Sequence, residues 1–281
     1  HSGKTQIISH PGLPKSINWT GGEVVIRSQI YILDRVQITS QTGDTLNVVN
    51  NSNYTPVDGW GYFIQNHPAT LDQDGEWYYD AVKKTVRLFS GQLNPNTSLI
   101  TATIQSRGID VVNSTNIRIA NLTITQTLNE GISATNVSSF TLVNNEVTNS
   151  GEDGINIKGS GRSILIDNNH IWDVNNNGVR IDGYKSVTFQ NNSLRRIGLV
   201  AGRGKSGDGQ YNGLQSTADE NVLIEHNLID SIGYNGLTFW NNTIIRQNII
   251  SNYCMTKNDG GGLYVWNHPM APMTNCPYPV W

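Results

Sequence analysis

Alanine is scarce in this chain, with 8 of 281 residues against 35 asparagines and 28 glycines. Because Ala is the best helix former and Asn and Gly are poor ones, that balance excludes a mainly helical protein. Long hydrophobic runs are missing too, and none approaches the ~20 apolar residues that a bilayer helix needs, so no membrane span is expected. Charge is sparse: 15% of residues are ionic and the net charge is −3. Without clustered Lys and Arg there is no electrostatic footprint for nucleic acid. Cysteine is limited to Cys254 and Cys276. These are too few for a disulfide framework and lie in no CxxC or Cys/His spacing, so neither a metal site nor a cofactor is expected. One bridge or two thiols remain equally open. Asn-x-Ser/Thr triplets such as Asn18-Trp19-Thr20 follow from the Asn content alone.

What is present is a repeat. A Gly followed by an apolar, any, apolar triplet recurs at Gly108, Gly131, Gly154, Gly178, Gly213, Gly236 and Gly262, with spacings of 23, 23, 24, 35, 23 and 26. A second alternating run follows, as in ILIDNNHI from Ile164 and VTFQNNSL from Val187. Each unit reads as two or three short strands with no room for a crossover helix, which makes it one coil of a solenoid. The second Asn of the offset run falls at Asn145, Asn169, Asn192, Asn227 and Asn248. An Asn can adopt a left-handed turn, and its amide can bond to the same amide one coil away, so an asparagine ladder is expected. The fold class is therefore all-β, a parallel β-helix with coils ~4.8 Å apart from about residue 101 to 281.

Residues 1–100 lack the repeat and contain the candidate strands EVVIRS, DRVQITS, DTLNVVN, GYFIQN, EWYYD and KTVRLFS. They are expected to form a small antiparallel barrel or sandwich beside the solenoid, with Trp77 and Tyr79 packed on one face of their strand. The chain stops at Trp281 soon after a further coil begins, and MAPMTNCPYPVW offers no amphipathic cap, so a longer parent protein is expected.

The repeat with its Asn turn resembles the right-handed parallel β-helix superfamily, which contains pectate-lyase-like lyases and several glycoside hydrolases. The segment from Gly61 to Phe89, with its GEWYYD core, resembles an insertion in bacterial β-helix glycosidases of the β-xylosidase-like, α-fucosidase-like and α-galactosidase-like kinds. The stretch DGGGLY from Asp259 is similar to a DGG-x-x-Y stretch in the same group. This resemblance implies a right-handed helix, an oligosaccharide or polysaccharide partner, and a secreted, periplasmic or cell-surface location in a bacterium.

Candidate chemistry follows from strand alternation. Residues one and three after each Gly are apolar and point inward, so those two and four after it face out. That outer face carries Asn156, Lys158, Arg180, Asp182, Gln215, Thr217, Thr238, Trp240, Tyr264 and Trp266. Flat aromatic rings suit sugar stacking, and Arg, Asn, Gln and Lys suit sugar hydroxyls. Glu130 and Asp153 occupy equivalent positions one coil apart, close to the ~5–5.5 Å separation of a retaining pair of carboxyls. Asp153 is the first candidate catalytic group, with Glu130 or Asp182 as its partner and Asp259 next. Solvated turn carboxylates, and a surface ion pair between Asp182 and Lys158, are the bland alternatives. The surplus LVAGRGKSGDGQYN, in the 35-residue spacing, reads as a cleft wall or lid whose Arg203, Lys205 and Asp208 are candidate substrate contacts. His170 and His226, near the Asn turn, read as structural. The expected function is glycoside hydrolysis, with a polysaccharide lyase using Lys158 and Arg180, or a non-catalytic adhesin, as the alternatives.

Overall fold

The computed structural model describes residues 3–49, 53–92, 94 and 96–265. Seven Gly-led strands, from Ile109–Val112 to Leu263–Tyr264, stack in parallel in one sheet of the solenoid. A second parallel sheet runs from Thr115–Ala120 to Thr243–Arg246, and a third from Thr123–Thr127 to Ile249–Ser251. Equivalent residues pair without slippage, as in Ile132 with Ile155 and Ile155 with Val179. The inward positions form one buried column that includes Ile132, Ile155, Val179, Leu214 and Leu237. Shortening such a side chain, for example Ile157→Ala, should cost ~2–5 kcal/mol.

The glycines before these strands are required by close approach of adjacent coils. A Cβ on Gly154 would lie 2.6 Å from the carbonyl oxygen of Gly178, and one on Gly213 would lie 2.5 Å from that of Gly236. The asparagine ladder forms inside the opposite corner. Asn145, Asn169, Asn192 and Asn227 each donate from Nδ2 to Oδ1 of the next ladder residue, at 2.9–3.1 Å. The left-handed conformation belongs to the preceding residue in each case, namely Asn144, Asn168, Asn191, His226 and Gln247. The backbone turn and the amide stack are therefore supplied by adjacent residues, which explains why two polar residues recur together and why His226 sits at a corner.

The N-terminal region is an open five-stranded antiparallel sheet, not a closed barrel or sandwich. Its order is Gln6–Ile8, Thr45–Val48, Ile32–Thr42, Glu23–Gln29 and Tyr62–Gln65. One face gathers Ile7, Trp19, Val24, Val36, Ile38 and Leu46, while Val25 and Leu33 on the other pack with Tyr211 and Tyr234 of the solenoid. Trp77–Asp80 pairs with Thr85–Leu88 as a separate hairpin. Trp77 and Tyr79 are 56% and 49% exposed, so they do not form the packed face expected of them. Glu76 accepts from the backbone N–H groups of Asp72 and Gln73 and closes their turn.

Candidate functional site

The extra segment between the fourth and fifth glycines is a fixed wall of the site. The Arg35 backbone N–H donates to Ser206 Oγ at 2.8 Å, Gln65 Nε2 to Gly202 O at 2.9 Å, and Asn177 Nδ2 to Gly209 O at 3.2 Å. Beneath it lies Lys257, fully buried, whose Nζ donates to Gly207 O at 3.1 Å and sits 4.9 and 5.3 Å from the ring centres of Tyr211 and Tyr234. Burial lowers the pKa of this ammonium to about 8, against the raising influence of Asp208 and Asp34. Bonds from the N-terminal sheet, the solenoid and Lys257 all hold the segment, which makes it a wall and not a lid.

Under the same wall, Asp153 and Glu130 are buried, with 0% and 4% exposure, and are not solvated turn carboxylates. Asp153 Oδ1 accepts from the backbone N–H of Asn177 at 3.1 Å and from Asn176 Nδ2 at 2.6 Å, and its Oδ2 accepts from Asn156 Nδ2 at 2.9 Å. The bond to Asn177 begins a second ladder. Asn177 Oδ1 accepts from the Asn212 N–H, Asn212 Oδ1 from Asn235, and Asn235 Oδ1 from Gly261, at 2.8, 3.1 and 3.0 Å. Asp153 thus holds the position that Asn fills on the following coils. Lys205 Nζ lies 2.7 Å from Glu152 and 3.9 Å from both Glu130 and Asp153, while Arg107 Nε donates to Glu130 at 2.9 Å. Burial raises the pKa of Asp153, opposed by Lys205 and by its hydrogen-bond donors. Burial also lowers that of Lys205, but Asp153, Glu152 and Glu130 outweigh it and leave it raised.

The open space is elsewhere on the same face. A cleft of about 560 Å³ lies over the fifth to seventh coils, between the wall and the N-terminal region. Gln215, Thr238, Trp240 and Tyr264, expected on the outer face, all line it, together with the two carboxylates Asp208 and Asp259. Asp208 accepts a hydrogen bond from the Tyr54 hydroxyl, which raises the pKa of that phenol. Asp259 stands exposed at a left-handed corner. Asp182 borders the cleft through Thr217, whose hydroxyl donates to it at 3.2 Å. It pairs with Arg180 at 2.5 Å and not with Lys158. Asn156 is committed to Asp153, Lys158 is exposed, and neither lines the cleft. Trp266 and Cys276 lie outside the described residues.

Several cleft residues are ones that the strand pattern does not single out. Tyr31 and Tyr54 come from irregular segments of the N-terminal region, and their rings meet edge to face at 5.8 Å. Tyr234 had a legible signal, since YNGL occurs at both 211–214 and 234–237. The described residues contain no group of His, Cys, Asp and Glu arranged to hold a metal ion.

A parallel β-helix with an aromatic, carboxylate-bearing cleft on its glycine-led face is thus the class that fold and site define. The family model described as a right handed beta helix region matches residues 107–276, more than half the chain, and the chain belongs to that family. Among solved structures, one described as a glycoside hydrolase superposes with a TM-score of 0.56 at 13% identity, covering 92% of this chain and 58% of its own. The tailspike protein gp49 from Pseudomonas phage LKA1 gives 0.41 at 15% identity, covering 94% of this chain and 43% of its own. The likeness to the hydrolase is one of fold, and the present chain spans little more than half of that protein's length. No curated protein matches the sequence.

Proposed function

We propose that the protein hydrolyses glycosidic bonds of an extracellular oligosaccharide or polysaccharide in the cleft over the fifth to seventh coils. The observation that carries this reading is the lining itself. Six aromatic rings, Tyr31, Tyr54, Tyr234, Phe239, Trp240 and Tyr264, surround two carboxylates, Asp208 and Asp259. Rings supply flat apolar platforms for the C–H faces of sugars, while Asn212, Gln215 and Thr238 supply donors and acceptors for hydroxyls. In this reading Asp259 protonates the departing glycosidic oxygen. Asp208, oriented by the Tyr54 hydroxyl, either attacks the anomeric carbon or takes the proton of the attacking water. One water is consumed per bond cleaved, and the two new hydroxyls take up its atoms. Asp153 and Glu130 serve as positioning groups, holding the wall through Lys205.

A second reading, retention of a glycan without cleavage, is favoured by one observation: the carboxylate pair with coil-to-coil spacing is sealed beneath Lys205. The two are separated by incubating the protein with a panel of neutral and acidic polysaccharides and measuring new reducing ends. Release that disappears in Asp208→Asn and Asp259→Asn supports hydrolysis. Binding with no release supports retention, and products with ultraviolet absorbance from an unsaturated sugar would identify a lyase.

A further inference from the structure

The third sheet of the solenoid carries a second groove, of about 530 Å³, on a different sheet from the glycine-led strands that line the cleft. It is built over three coils. Glu146 pairs with His170 and His170 with Ser193 along one outward row, while Trp172 pairs with Arg195 along the next. The Trp172 indole is fixed: its N–H donates to Glu146 Oε1 at 3.1 Å, and the Arg196 guanidinium lies 5.1 Å from its ring centre. Arg196 is itself held by both carboxylate oxygens of Asp173, at 2.6 and 2.9 Å. By contrast, the Arg195 guanidinium is exposed and makes no hydrogen bond or ion pair among the described residues, and the His170 imidazole is likewise exposed and unbonded there. The neighbouring Asp230, paired with Arg195 one coil on, is hydrogen-bonded by Ser251 and Asn252, each at 2.7 Å; these bonds lower its pKa, with a smaller through-space contribution from Arg195.

A clamped aromatic ring beside an exposed guanidinium that bonds to no carboxylate among the described residues, with an imidazole and a hydroxyl, is a combination that recognises a sugar bearing an anionic group. The ring offers a stacking edge, Arg195 a bidentate partner for a carboxylate, and His170 and Ser193 hydrogen bonds to ring hydroxyls. We propose that this groove is a second glycan-binding site, separate from the cleft, that takes a uronic acid residue of an acidic polysaccharide with its carboxylate on Arg195. The ligand class rests on the carbohydrate reading of the protein, but the groove does not depend on the cleft being catalytic.

The test is calorimetric titration of the whole protein with hexamers of galacturonate, glucuronate, mannuronate and guluronate, and with neutral hexamers of xylose and glucose. At least one uronate should bind, more weakly as salt is raised. Arg195→Gln should weaken that binding about tenfold or more, as loss of a charge-assisted pair implies. Trp172→Ala should weaken it too, while Trp240→Ala in the cleft should leave it unchanged. Arg195 is on the surface, so its variant is expected to fold. The proposal is overturned if none of the four uronates binds, or if Arg195→Gln binds them like the wild type. Loss of hydrolysis in Asp208→Asn with uronate binding intact would leave the groove standing, whereas the reverse result would remove it alone.

Discussion

Asp153 is the residue at which a catalytic and an architectural role make opposite demands. It accepts three hydrogen bonds while fully buried, and one of them comes from the Asn177 backbone at the head of the second ladder. Asp153→Ala leaves the Asn177 N–H and the Asn156 amide without that acceptor; Asn176 keeps its bond to Gln210 at 2.7 Å. Two buried orphaned donors at ~1–3 kcal/mol each give an expected loss of about 2–6 kcal/mol. Asp153→Asn keeps Oδ1 for Asn177 and removes a buried charge, and rotation of the Asn156 amide offers its otherwise unbonded Oδ1 to the new NH2, so its cost should stay below about 1 kcal/mol. The pH dependence sharpens the contrast. The folded pKa of Asp153 is raised, chiefly by burial, so the native state binds more protons than the unfolded state as this group titrates. Its contribution to stability is present below the unfolded value of ~3.9 and is lost as pH rises through the folded value. Urea denaturation between acid and neutral pH should show this loss in the wild type and its removal in Asp153→Asn. The reasoning is refuted if Asn is as damaging as Ala, or if Asp153→Asn folds normally yet loses turnover by orders of magnitude.

Other perturbations follow from the same geometry. Asn192→Ala removes the acceptor of the Asn169 N–H and the donor to Ile166 O, so it should cost ~2–5 kcal/mol by urea denaturation; a loss under ~1 kcal/mol would contradict the buried ladder. Lys257 has a folded pKa of about 8, below its unfolded value, so its contribution is full above ~10.4 and is lost as pH falls through 8. Wild-type stability should therefore rise between about pH 8 and 10 relative to Lys257→Met, and parallel profiles would show that burial does not perturb it. Trp240→Ala should raise KM with little change in kcat, since a stacking platform serves ground and transition states alike; a selective fall in kcat would place the ring at the reacting sugar.

The solenoid was legible because its determinants are local and repeated. Glycines are demanded wherever coils approach closely, inward apolar residues alternate with outward polar ones, and Asn145 to Asn248 mark one corner. The outer-face residues Gln215, Trp240 and Tyr264 follow from the same alternation. Less legible was whether an outward or corner position remains open, because that depends on a segment arriving from elsewhere in sequence. Lys205, from the surplus loop, covers Glu130 and Asp153, and no spacing rule anticipates it. The Asx run at Asp153, Asn177, Asn212 and Asn235, immediately before successive glycines, is the pattern of the second ladder, whereas in the sequence Asp153 stands out from it as a catalytic candidate. Tyr31 and Tyr54 reach the cleft from irregular backbone, where periodicity carries no information. The hairpin at Trp77 misled because alternation predicts which residues share a face, and not whether anything covers that face.

The central claim is that glycosidic bonds are hydrolysed by carboxylates facing the open cleft, with the buried pair acting as support. Reducing-end release by wild type, Asp208→Asn, Asp259→Asn and Asp153→Asn, measured side by side on a glycan that the wild type cleaves, tests it most directly. The account predicts a fall of about two or more orders of magnitude in kcat for the first two variants and near wild-type turnover for Asp153→Asn. Full activity in Asp208→Asn and Asp259→Asn, with loss in Asp153→Asn, would contradict it.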